Sequence, residues 1–86
     1  MTLMLRIAAE LNNLPAIRRF VQETATALAA PARAIDELVL AVDESTTNII
    51  EHGYCGQPGD IEIEVGRAGE TVVVHLRDQA PPFDPT

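Results

Sequence analysis

The sequence predicts an α+β domain, with helices on one face of a mainly antiparallel sheet. Three observations carry this. Ile61-Glu62-Ile63-Glu64-Val65 alternates apolar and polar residues with period two, and Thr71–Leu76 follows across a glycine-containing loop, which reads as a hairpin. Two longer segments repeat apolar residues at spacings of three and four, the period of amphipathic helices. A short apolar run, Leu3–Ile7, precedes both and reads as a first strand.

The elements follow in order. Asn12 or Asn13 is placed to cap a helix whose first turn holds Pro15. Its buried stripe is Ile17, Phe20, Val21, Thr24 and Leu28, and Ala29-Ala30-Pro31 breaks it. Pro31 opens a second helix expected to run to about His52, with a stripe of Ile35, Leu38, Val39, Val42, Thr46, Ile49 and Ile50. Gly53 is its expected stop. At about 100° per residue, Glu37, Glu44, Asn48 and Glu51 fall on the side away from that stripe. Residues 55–59 form a turn cluster. Arg67–Glu70 is the hairpin loop, and Thr71–Leu76 is expected to be the more central of the two hairpin strands. The chain then leaves the sheet through a proline-stiffened loop, Arg77–Pro85. Nothing follows that could cover the last sheet edge, a hazard proteins usually manage, so the sequence reads as part of a longer protein.

Bulk properties narrow the function. Eighty-six residues make one small domain. A domain of this size buries only roughly 60% of its unfolded surface, so a partner subunit is an expected source of extra stability. With no Trp, one Tyr and two Phe, the core must be aliphatic. The formal charge is −7, and the six basic residues are all Arg, which is no footprint for nucleic acid. No run approaches the ~20 apolar residues that span a bilayer. The single Cys55 excludes an internal disulfide and fits a reducing compartment.

Chemistry concentrates in two places. Glu44 and Asn48 are four residues apart on the second helix, so their Cβ atoms stand about 5–6 Å apart on one face. Glutamate can take a proton from a hydroxyl. An asparagine oxygen is a neutral hard ligand suited to Mg²⁺ that shares substrate phosphates. The same spacing also suits an ordinary solvated helix face. Glu51 and His52 are adjacent and diverge on a helix, and there is no second His or Cys at ligand spacing for zinc. His52 therefore reads as a capping or packing residue. Asp78 follows an apolar strand and precedes Pro81-Pro82. It can accept a hydrogen bond from an exocyclic amine such as adenine N6, or be a turn aspartate satisfied by backbone N–H groups. Phe83 can close over a base or plug the core. No P-loop or Rossmann glycine motif is present.

These two places occur in an order that resembles a known family. Glu44-x-x-x-Asn48-x-x-x-His52-Gly53-Tyr54 is similar to the N-box of the GHKL (histidine-kinase-like) ATPase superfamily. Asp78-Gln79-Ala80-Pro81-Pro82-Phe83-Asp84-Pro85 is similar to its adenine-binding box. Together with Leu14–Val21 in the first helix, they most resemble the anti-sigma-factor serine/threonine kinases of bacterial partner-switching systems. The resemblance implies a Bergerat-type two-layer α/β sandwich, with residues 1–86 as the N-terminal portion of a kinase domain that continues into a glycine-rich lid and further strands. It implies ATP or ADP and Mg²⁺ as ligands. Glu44 would be the base that activates a serine hydroxyl, and Asn48 the Mg²⁺ ligand. Asp78 would bind the adenine amino group, and His52, Gly53, Tyr54, Ala80 and Phe83 would lie around the nucleotide. Ala80 stands where the family often has glycine. The implied protein is a cytoplasmic homodimer that phosphorylates an anti-sigma-factor antagonist and sequesters a sigma factor, without contacting nucleic acid or membrane. The alternative is a non-catalytic binding module with an incomplete pocket. A sensor histidine kinase fits less well, because only a strand and one helix precede the second helix.

Overall fold

The computed structural model describes residues 2–55 and 57–78. Strand β1 (Thr2–Ala8) leads through a short 3₁₀ turn, Leu11–Asn13, into helix α1 (Leu14–Ala27). Helix α2 (Ala32–Asn48) passes without a break into a π-helical turn, Ile49–Tyr54. Strands β2 (Asp60–Ala68) and β3 (Thr71–Asp78) close the order. The two helices pack on one face of a three-stranded antiparallel sheet, ordered β1-β2-β3. This is the predicted α+β architecture.

Register explains the two faces. Leu5, Ile63 and Leu76 are cross-strand neighbours, as are Leu3, Val65 and Val74, so these side chains share one side of the sheet. Ile61, Ile63 and Val65 are fully buried there, under Ile17 and Val21 of α1 and Val42 and Thr46 of α2. Thr46 is buried without penalty because its hydroxyl donates to the Val42 carbonyl at 2.7 Å. Arg67 falls on the same side and donates to the Leu28 carbonyl at 2.7 Å, satisfying the C-terminal end of α1. The opposite face carries Arg6, Asp60, Glu62, Glu64 and Arg77, with Arg6–Asp60 and Arg77–Glu64 paired at 3.1 Å. These pairs are half exposed and contribute little to stability. Ile63→Ala, by contrast, opens a cavity at the centre of the core and lowers unfolding free energy by about 2–5 kcal/mol in a urea titration.

Four expectations are corrected. The central strand is β2, since it alone is paired on both sides, whereas Thr71–Leu76 lies at an edge among the described residues. Its Val72, Val73 and Val74 are only half buried. Arg77 and Asp78 continue β3 instead of beginning a loop. Asn13 does not cap α1 with its side chain, because its Nδ2 donates to the Ala8 carbonyl at 2.9 Å and ties the helix start to the end of β1. The second helix does not stop at Gly53, which lies inside the π turn; Cys55 ends it in the left-handed conformation at φ 52°. The loop expected over residues 79–85 lies outside the described residues.

Candidate nucleotide-binding site

Helix α2 carries one half of the site. Val42, Thr46, Ile50 and Tyr54 form a row of buried residues at spacings of four. The flank turned away from α1 carries Ala34, Glu37, Leu38, Ala41, Glu44 and Asn48, again at spacings of three and four. The first four of these overhang the start of β3, where they line a cleft with Glu70, Thr71 and Val72. At the other end, Ile50 and Glu51 line a cleft of about 680 Å³ with Ala8, Gly59 and Asp60. Helix α2 therefore runs in the same direction as β3. Leu38 and Val72 line the same cleft, and Asn48 is ten residues beyond Leu38, or about 15 Å of helix. At about 3.3 Å per strand residue, that brings Asn48 level with about Leu76, close to the Asp78 end of β3.

Glu44 and Asn48 are both exposed, and among the described residues neither makes a side-chain hydrogen bond. Their oxygens thus remain available to a ligand, one helical turn apart. Asp78 is a further expected site residue among the described ones, the last residue of β3. It pairs with Ile61, which is fully buried beneath the helices. Asp78 therefore lies in a strand and not in a turn, exposed at its end, where it also lines a cleft with Arg6, Asp60, Glu62 and Arg77. Asn48 and Asp78 are brought to the same end of the molecule.

The remaining expected site residues divide. His52 is exposed in the π turn, and its carbonyl accepts the Cys55 thiol at 3.2 Å. Gly53 is half buried beside it. Tyr54 points inward, buried in the core, with its hydroxyl donating to the Asp60 carbonyl at 2.6 Å. Ala80 and Phe83 lie outside the described residues. Glu51, counted onto the Glu44 face at α-helical spacing, falls within the π turn, which changes the angular count, and it lines the cleft toward Ala8 and Leu11. The π turn was not foreseen, although such segments often mark functional sites. Its signal was the unbroken spacing of four from Val42 to Tyr54, which carries the buried row past the glycine.

No cluster of three His, Cys, Asp or Glu able to hold a metal occurs among the described residues. No described helix is long and apolar enough to cross a membrane.

Glu44 and Asn48 thus stand exposed one turn apart on α2, and Asp78 ends the strand β3. Residues 7–86 match the family of the histidine kinase-like ATPase domain, and the chain belongs to that family. No curated protein matches the chain.

Proposed function

We propose that the chain is the ATP-binding part of a serine/threonine protein kinase of the anti-sigma-factor type. The observation that carries this is the placement of Glu44 and Asn48, exposed and one turn apart, at the same end of the molecule as Asp78. Domains of this family use ATP with Mg²⁺, and the donor set fits that pair. Asn48 Oδ1 would hold Mg²⁺, and the Asp78 carboxylate would accept the adenine amino group. The α2 flank also carries Glu37 and Glu44, so phosphates brought beside it meet like charge. Mg²⁺ supplies the neutralisation that lets phosphate lie there and transfer. Glu44 Oε would take the proton from an incoming serine hydroxyl. His52 and Gly53, in the turn just past Asn48, would border the phosphates, with Ala80 and Phe83 on the adenine side.

The resemblance of the two boxes to partner-switching kinases supports an antagonist protein as substrate, a sigma factor as the sequestered partner, a homodimer as the working form and a cytoplasmic location. Incubation with γ-labelled ATP, Mg²⁺ and an anti-sigma-factor antagonist tests this. Label on one serine of the antagonist, lost when that serine becomes alanine, is the expected result. Nucleotide binding with no transfer to any antagonist would favour a non-catalytic binding module instead.

A further inference from the structure

Tyr54 and Gly59 make a contact that the proposed chemistry does not use. Tyr54 is 4% exposed, and its hydroxyl donates to the Asp60 carbonyl at 2.6 Å. Its ring lies so close over Gly59 that a Cβ there would overlap the ring carbon Cε1. Glycine is needed at 59 for that close approach, and not for a positive φ. The Gly59 carbonyl in turn accepts the Ala9 N–H at 2.8 Å. Tyr54 is thus fixed at the point where the end of β1 meets the start of β2.

On one side, Tyr54 is the last residue of the π turn that follows directly on Asn48. On the other, Asp60 precedes Ile61, the register partner of Asp78. The hydroxyl of Tyr54 therefore links the two halves of the site by a short path, from the Asn48 helix end to the first residue of β2 and across one ladder step to Asp78. We infer that Tyr54 is a positioning residue, a latch that sets the separation between the Asn48 amide and the Asp78 carboxylate. This rests on the reading of Asn48 and Asp78 given above. A ligand that spans both arms feels the latch, whereas one held by the Asp78 arm alone does not. Mg²⁺-ATP is of the first kind and adenosine of the second.

Tyr54→Phe in the full chain keeps the buried ring and its contact with Gly59 and removes only the hydroxyl. Mg²⁺-ATP affinity is expected to fall about tenfold, the scale of one buried hydrogen bond. Adenosine affinity stays within about twofold, and hydrogen exchange at the amides of Ile49–Tyr54 quickens about tenfold while that of α1 is unchanged. A merely structural role would weaken both ligands alike and lower protection throughout. That result, or an unchanged Mg²⁺-ATP affinity, overturns the latch. A wild-type chain that binds neither ligand overturns the reading of the site itself. The exchange measurement then still decides the latch, since unaltered protection at Ile49–Tyr54 in the variant removes it.

Discussion

Glu44→Ala is expected to abolish phosphoryl transfer while leaving Mg²⁺-ATP affinity within about twofold of the wild type. Removing a positioned general base costs about 10²–10⁴ in rate. Glu44 is exposed and hydrogen-bonded to nothing among the described residues, so the helix loses no contact with it. Alanine is also the best helix former, so α2 keeps its shape. Single-turnover transfer of label to the antagonist serine reads the first effect, and calorimetry reads the second. Loss of binding together with loss of transfer would move Glu44 from the proton to the nucleotide and contradict the assignment.

Asn48→Ala is expected to remove the Mg²⁺-dependent part of ATP binding. Disturbing even an outer partner of a bound metal costs about 10–100-fold in metal affinity, and a direct ligand costs at least that. Because Asn48 is the last residue of α2 and lies on its exposed flank, the substitution leaves the core intact. The check is the ratio of ATP affinities with and without Mg²⁺, which should collapse toward one. Adenosine affinity, assigned to Asp78 in the proposed reading, should hold. A variant that still binds ATP more tightly with Mg²⁺ would show that the cation is held elsewhere.

Much of this was legible in the sequence because each element announces its own period. Ile61, Ile63 and Val65 alternate, and the Ile17–Leu28 and Val42–Ile50 rows recur at helical spacing. The strand-helix-helix-strand-strand order and the outward face of Glu44 and Asn48 therefore follow from local pattern alone. What was not legible depends on contacts distant in sequence. The central place of β2 is decided by its pairing with β1, more than fifty residues earlier, and nothing within β2 or β3 records that. Asn13 suits a helix cap, yet the Ala8 carbonyl takes its side chain. Gly53 looks like a stop, but burial of Tyr54 against Gly59 and Asp60 pulls the helix on past it. The motif named Tyr54 as a neighbour of the nucleotide, and only the packing shows its hydroxyl already engaged with β2. Asp78 reads equally well as a turn residue, and only the strand pairing shows that it continues β3 opposite Ile61.

Calorimetric titration of Mg²⁺-ATP into the folded chain, repeated in EDTA, tests whether Asn48 and Asp78 form two ends of one Mg²⁺-ATP site. Saturable binding at one site per chain, weakened at least tenfold when EDTA removes the cation, is the expected result. Binding of equal strength with and without Mg²⁺, or none by a folded sample, would contradict it.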